Sequence, residues 1–363
     1  MGVGICVVNN PHSIEWSPFI ENRLAVATSN RPGHTPISGV LYLLDFLPQN
    51  NIEIEHQIQL NVGCHHVLWS HRNENVLLSS CDDHVLRFFD TKNIDCMYRE
   101  WFDNEKISNV DWDQISLEWI ITGSLDSSSI KLYQENQESN EALDIFHTKK
   151  HELVIKEQES KLENVQDLQA PPVYDIQWNT HTPMQFYTSD RDGFVSLWDL
   201  RQHEDPCVAS FRLHHRTCAI KLDVNAFDEY SMALGCFDQS LMTYDLRNTS
   251  RPKAYLPNIH YSLITGTKWS PHTQHLVATC STDRTLRIWD MRESNQTPLQ
   301  PQQHVGSSSS TTLTQSYGGR VSNFKNQKME DWVNDLAWNV HEVGLMALCC
   351  NDQLVKAYNI KED

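Results

Sequence analysis

The chain has 363 residues, 39% of them hydrophobic, and a formal charge of −18 from 29 basic and 47 acidic side chains. That apolar content supports a packed core and excludes a wholly disordered chain, while only 13 glycines and 14 prolines exclude a collagen-like one. The acidic balance argues against nucleic acid and anionic membrane surfaces as partners.

No stretch approaches the roughly 20 apolar residues of a membrane-spanning helix. The start, MGVGICVVNN, lacks a signal peptide, so the ten cysteines, none in a CxxC pair, read as reduced thiols in the cytosol.

Short strands with period-two alternation follow one another along the chain. SIEWSP (13–18), RLAVATS (23–29) and GVLYLLDF (39–46) open the series. HHVLWS (65–70) and NVLLSSC (75–81) come next, and Asp83 stands six residues before Phe89-Asp90. SNVDWD (108–113) and EWIITGS (118–124) lead to Asp126, which precedes Tyr133 with one extra residue. YDIQWN (174–179) leads to Asp192 before Trp198-Asp199, and KLDVNA (221–226) with MALGCF (232–237) to Asp238 before Tyr244-Asp245. TGTKWSP (265–271) leads into the clearest unit, LVATCSTDRTLRIWDMR (276–292), with Asp283 six residues before Trp289. NDLAWN (334–339) and LMALCC (345–350) precede Asp352 and Tyr358-Asn359.

The turn aspartates lie 43, 66, 46, 45 and 69 residues apart. A period of about 40–45 with a terminal Trp-Asp is the WD40 signature. The expected fold is therefore all-β: one seven-bladed WD40 propeller over residues 1–363 with two long loop insertions. The recurrent Asp reads as a turn residue and the aromatic as packing between sheets. His260 is placed to hydrogen-bond the turn Asp of its own copy. The last copy leaves no room for an outer strand, so residues 5–9 are expected to supply it and close the last blade.

Residues 134–169 carry nine acids and four bases and read as an acidic, partly helical insertion. Its His147 and His151, four apart, are too few for a metal site. Residues 293–330 (QTPLQPQQ, SSSSTTLTQS) read as a polar, low-complexity insertion. The nucleotide, lipase-type and zinc-protease motifs GxGxxG, GxxxxGK[ST], GxSxG and HExxH are absent, no nucleophile–base set assembles, and neither metal nor cofactor is called for. The chain reads as a binding platform and not an enzyme.

Three stretches carry a closer resemblance: HSIEWSPFIENRLAVATSN (12–30), SLMTYDLRNTSRP (240–252) and HYSLITGTKWSPHTQHLVATCSTDRTLRIWD (260–290). They resemble repeats of the WD-repeat receptor family for the type 2, N-terminal peroxisomal targeting signal. The resemblance spans all seven blades and stops at the insertions. It implies an import receptor in the cytoplasm that binds an amphipathic helix of the form R-[LVI]-x5-[HQ]-[LA], works with a co-receptor and docking proteins, and cycles to the peroxisome without inserting into its membrane. The alternative is a generic WD40 scaffold in trafficking, ubiquitin ligation or chromatin.

On either reading, the loops entering each first strand and the turns carrying the Asp frame form one face. Positions four and six before the strand-ending aromatic, with the residue before each turn Asp, select His65, Lys106, Ser108, Pro172, Tyr174, Leu263, Thr265, Trp332, Asn334, Asp82, Leu125, Arg191 and Phe237. Tyr174, Leu125, Phe237, Leu263 and Trp332 are expected apolar anchors. Asp82, Asp103 and Glu105 are the expected acids for a cargo Arg. Two features depart from the family pattern: Lys106 stands where an acid is expected, and the lead GCHHV replaces an acidic-aromatic one.

Overall fold

The computed structural model describes residues 3–7, 9–30, 38–47, 51–93, 97–135, 142–148, 171–292 and 322–360. Seven antiparallel four-stranded sheets surround a central channel. Blade 1 is β2 (Asn10–Trp16), β3 (Arg23–Ser29), β4 (Gly39–Leu47) and β5 (Asn51–Leu60), from inside outwards. Blade 2 is β6 (Cys64–Trp69), β7 (Val76–Cys81), β8 (Val85–Asp90) and β9 (Met97–Phe102), and blade 3 is β10 (Ile107–Trp112), β11 (Trp119–Ser124), β12 (Ser129–Gln134) and β13 (Asp144–His147). Blade 4 is β14 (Val173–Trp178), β15 (Gln185–Asp190), β16 (Phe194–Asp199) and β17 (Cys207–Arg212), and blade 5 is β18 (Ala219–Val224), β19 (Ser231–Cys236), β20 (Leu241–Asp245) and β21 (Ala254–Leu256). Blade 6 is β22 (Ile264–Trp269), β23 (Leu276–Ser281), β24 (Thr285–Asp290) and β25 (Ser322–Lys328). Blade 7 joins β26 (Val333–Trp338), β27 (Leu345–Cys350) and β28 (Leu354–Asn359) to β1 (Val3–Cys6), the first strand of the chain. The chain is a seven-bladed WD40 propeller.

The outer strand of blade 7 is Val3–Cys6, shifted from the expected 5–9, with Val3 opposite Ala357 and Cys6 opposite Leu354. Two spans assigned to insertions contain strands. Asp144–His147 completes blade 3, so neither ALDIF nor His147 belongs to a helix there, while 136–141 and 149–170, with His151, lie outside the described residues. Ser322–Lys328 completes blade 6, and 293–321 lies outside them. Pairing with β12 and β24 sets these strands, and their own composition gives no sign of it.

The core divides into seven apolar clusters, each bridging two neighbouring blades. Polar clasps accompany them. The Trp16, Trp69, Trp178 and Trp338 indoles each donate to an inner-strand carbonyl of the preceding blade, at 3.2–3.3 Å. Carboxylates add a second link. Glu15 accepts from the backbone N–H of Trp69 (2.5 Å), Asp111 from Trp178 (2.6 Å), Asp175 from Leu222 (2.7 Å), Asp223 from Trp269 (2.6 Å) and Asp335 from Ile14 (3.3 Å). The last of these and the Trp16 indole, bonded to the Ala337 carbonyl, join blade 7 to blade 1.

The turn Asp has the local role its spacing suggests. In five copies the residue after it lies in the left-handed region: His84, Gly193, Gln239, Arg284 and Gln353 have φ of 64–84°. In blades 5 and 6 the carboxylate caps that bend: Asp283 accepts from the Thr285 N–H at 3.0 Å and Asp238 from the Ser240 N–H at 3.2 Å, while in blade 4 Asp190 takes the Phe194 N–H at 3.0 Å instead. The later Asp of the Trp-Asp pair is an anchor too. Asp199 takes the Arg201 backbone N–H at 3.0 Å and its guanidinium at 2.6–2.8 Å.

The clasping carboxylates line the channel, a cavity of about 360 Å³, together with Lys221, Lys268, His12 and His66. Burial pushes Glu15 up to about 8 and Asp111 up to about 7, and raises Asp223 and Asp335. Lys268 loses by the same burial, but Asp223, 3.2 Å away, and the acids beyond it raise its pKa overall. Burial holds His66 neutral, at about 3.

Two expectations follow. Removal of residues 1–7 bares the edge of β28 and takes Val7 and Ile5 from the cluster joining blades 7 and 1. The truncated protein should melt at lower temperature and aggregate in light scattering; an unchanged melting curve would place closure elsewhere. The second concerns pH. A carboxyl whose folded pKa is raised binds more protons folded than unfolded, so stability falls as pH rises from its unfolded value to its folded one. For Glu15 that window runs from 4.5 to about 8. Glu15→Gln keeps an acceptor for the Trp69 N–H without the charge. Its urea midpoint should exceed the wild type's at pH 8.5, and the two should converge near pH 5.

Candidate functional site

All seven inner strands enter from the same end of the ring. At that end the residue before each turn Asp bonds the carbonyl of the residue before the inner strand. The bonds are Asp82 to Gly63, Leu125 to Lys106, Arg191 to Pro172, Phe237 to Cys218, Thr282 to Leu263 and Asn351 to Trp332, at 2.8–3.2 Å. These pairs form the open face.

Just inside it every inner strand carries a bulge. The register skips one residue in each blade: His12, His65, Ser108, Tyr174, Ile220, Thr265 and Asn334. A bulge leaves one residue unpaired and re-aims its side chain. Six of these stand four before the strand-ending aromatic, and all of them but His12 were selected by that spacing. His12 and Ile220 belong to the same ring; Ile220 was missed because Val224 replaces the aromatic in blade 5.

Phe237 is 61% exposed, Trp332 52%, and Leu125 and Leu263 are exposed as well. Tyr174 is half-buried, and Arg191 is exposed beside Asp192. Gly235 packs against Ile264 of the next blade, which brings the Phe237 turn beside Leu263. Tyr261 joins this side of the face, 83% exposed, with its N–H on Asp283 (2.9 Å) and the Arg287 guanidinium 5.7 Å from its ring centre. It stands eight residues before Trp269, outside the positions that sequence spacing sampled. Phe102, exposed at the end of β9, was missed for the same reason.

The acids divide differently from expectation. Asp103 is withdrawn from the face: it is 3% exposed and accepts from Thr122 (2.8 Å) and Tyr133 (3.1 Å) while pairing with the buried Lys131 ammonium (2.5 Å). Its place is that of His260, four residues before the inner strand. His260 bonds Asp283 at 3.1 Å and Thr279 at 2.8 Å, and the Trp289 indole donates to Thr279 at 2.9 Å. Burial raises the Asp283 pKa, but the His260 and Thr285 hydrogen bonds outweigh it and hold the carboxylate well below the usual range. The spacing of four, shared with His260, is the signal that identifies Asp103 as structural.

Glu105 is half-buried and accepts from the Ser127 hydroxyl (2.5 Å) and from Ser129, beside exposed Lys106. Asp82 is paired with His65 at 2.5 Å, its side chain 32% open. The Ser108 hydroxyl is buried with no partner among the described residues. Blade 7 supplies an acid that spacing did not select. Asp331 accepts from the Trp332 N–H at 2.8 Å. Asp352, the turn Asp of this blade, has both oxygens shielded from solvent; burial raises its pKa, and Lys356 and the Leu354 N–H hold it down in part. Leu354 stands where Thr285 caps Asp283 in blade 6, which is why Asp352 lacks that hydroxyl. The face therefore offers aromatic and aliphatic surface with acids at blades 2, 3 and 7, an arrangement suited to a cationic amphipathic segment. Among the described residues no group of three or more His, Cys, Asp or Glu is arranged to hold a metal ion.

The family model for the WD domain, G-beta repeat, matches residues 256–290. The chain is similar to the peroxisomal targeting signal 2 receptor of Saccharomyces cerevisiae, 24% identical over 310 residues, and to that of Komagataella phaffii, 28% identical over 305; each match covers 77% of this chain and 80% of the relative. The receptor of Schizosaccharomyces pombe is 26% identical over 280 residues, covering 77% of this chain and 81% of its own. The resemblance read from the repeats is borne out along most of the chain.

The placement of Asp103 is testable. Asp103→Ala strands the buried Lys131 charge, a loss of about 3–5 kcal/mol. Glu105→Ala, at a half-open site, should cost about 1 kcal/mol or less. Urea midpoints of the two variants measure the difference, and equal midpoints would return Asp103 to the surface.

Proposed function

We propose that this WD40 propeller, similar over most of its length to receptors for the type 2 peroxisomal targeting signal, is itself a receptor for that signal, and that the open face binds it. The observation that carries the reading is the exposed set Phe237, Tyr261, Leu263 and Trp332 on a face that also holds Asp82, Glu105 and Asp331. An amphipathic helix lays its apolar side on such residues, and its Arg meets a carboxylate. The role is recognition and not catalysis. A co-receptor completes the groove, and the loaded complex leaves the cytoplasm to dock at the peroxisome; no helix among the described residues is long and apolar enough to cross a membrane.

The test is a fluorescent peptide of the form R-L-x5-H-L, titrated with the full chain in the presence and absence of co-receptor. Loss of a buried aromatic anchor costs about 2 kcal/mol, about 30-fold in affinity, so Trp332→Ala and Phe237→Ala should each weaken binding by that order. Glu105→Lys should weaken it more at low salt than at high salt, since salt screens the charge pair. Unaltered binding in all three variants removes this face from the site. A wild type that ignores the peptide even with co-receptor overturns the receptor reading in favour of a scaffold.

A further inference from the structure

Several of the buried cysteines behave as small apolar groups. Cys280 and Cys350 sit in the cluster joining blades 6 and 7, and Cys349 in the cluster joining blades 7 and 1. Cys349 and Cys350 are consecutive on β27, so they point to opposite faces of their sheet.

Cys64 and Cys81 are different. They are directly opposed residues of β6 and β7, at the end of blade 2 next to the open face. Their sulfurs lie 3.8 Å apart, in contact. Directly opposed residues of an antiparallel pair have Cα separations of about 4.5–5.5 Å, within the range a disulfide spans. Rotation of two side chains can close the remaining gap, and the backbone need not move.

From the opposed register and the sulfur contact we infer that Cys64 and Cys81 form an oxidisable dithiol, a site at which a peroxide converts two thiols to an intrachain disulfide. The surroundings favour the first step. The hydrogen bond from the Cys64 thiol, and then the Arg87 guanidinium, lower the pKa of Cys81, while that same bond and burial raise Cys64. Cys81 is thus the nucleophile and Cys64 the resolving thiol. Arg87 is itself held by Asp83 and Glu100, at 2.5 and 2.9 Å.

In the reaction the Cys81 thiolate attacks one peroxide oxygen and the O–O bond breaks. Cys81 becomes a sulfenic acid, and the departing hydroxide takes the Cys64 proton as water. The Cys64 thiolate then attacks the Cys81 sulfur. The S–S bond forms, the S–O bond breaks, and the second hydroxide takes up the proton that Cys81 released. Two thiols and one peroxide give one disulfide and two waters. Cys64 is fully buried and Cys81 is 4% exposed, so the oxidant must be as small as hydrogen peroxide. The bridge would tie together the strand ends that carry His65 and Asp82, and it does not depend on what the open face binds.

The experiment treats the reduced full-length protein with dilute hydrogen peroxide. It then alkylates the remaining thiols in denaturant and maps the digest by mass spectrometry. The expected result is a linked pair of peptides bearing Cys64 and Cys81, lighter by two hydrogens and separated again by dithiothreitol. Cys64→Ser should abolish the link and leave a sulfenic acid at Cys81 that dimedone traps. If that variant does not fold, the wild-type map decides alone. Full alkylation of both residues while exposed Cys6 is already oxidised overturns the inference, as does linkage of either to another cysteine.

Discussion

What holds this molecule together is the link from one inner strand to the next. Each sheet is a four-stranded ribbon, too small to bury its own faces, and gains stability by stacking on two neighbours. Apolar area supplies most of that attraction, but it is not directional. Direction comes from the clasps: an indole N–H on the preceding blade's carbonyl, and a carboxylate on the following blade's N–H. At six of the seven junctions, all but that of blades 2 and 3, one or both of these groups join neighbouring inner strands and fix how far the blades slide against each other. The indoles stay buried in that role, so their recurrence is architectural and carries no information about a ligand.

The clasps also charge the axis of the ring. Glu15, Asp111, Asp175, Asp223 and Asp335 crowd the channel because their backbone partners lie there, and Lys221 and Lys268 offset part of the repulsion. Burial is the main cause of the raised pKa values of Glu15, Asp111, Asp223 and Asp335. Perturbed titration marks a functional site only when the groups also face a space where a substrate can react. Here their lone pairs are directed at backbone amides.

The fold was legible because its two recurring contacts leave a spacing behind. An Asp that caps a left-handed residue and an aromatic one strand later must stand about six apart, whatever surrounds them. The outer strands of blades 3 and 6 leave no such trace. Asp144–His147 carries no turn signal, and its acidic neighbourhood reads as a loop until β12 pairs with it. The face was partly legible for a reason spacing alone did not reveal: position four before the aromatic is the bulged residue in the six blades that have one. Asp103 and Tyr261 were misjudged in opposite directions. Charge suggested exposure for the first, where Thr122, Lys131 and Tyr133 bury it. Tyr261 fell outside the sampled positions, although the backbone bond to Asp283 holds its ring outward.

The mixed last blade bears on how the molecule is made. Its outer strand is made before every other strand of the propeller, and its other three strands after them. Blades 1 to 6 can pair internally as they emerge, since each is contiguous, but β1 must wait for β28 while all six are made. The same wait applies to the Trp16–Ala337 bond and the apolar cluster around it. A nascent chain of this protein therefore carries an unpaired strand and an uncovered sheet face on blade 1 until blade 7 has emerged. Those are surfaces that invite mispairing between neighbouring chains on one message, and a folding chaperone would find its substrate there.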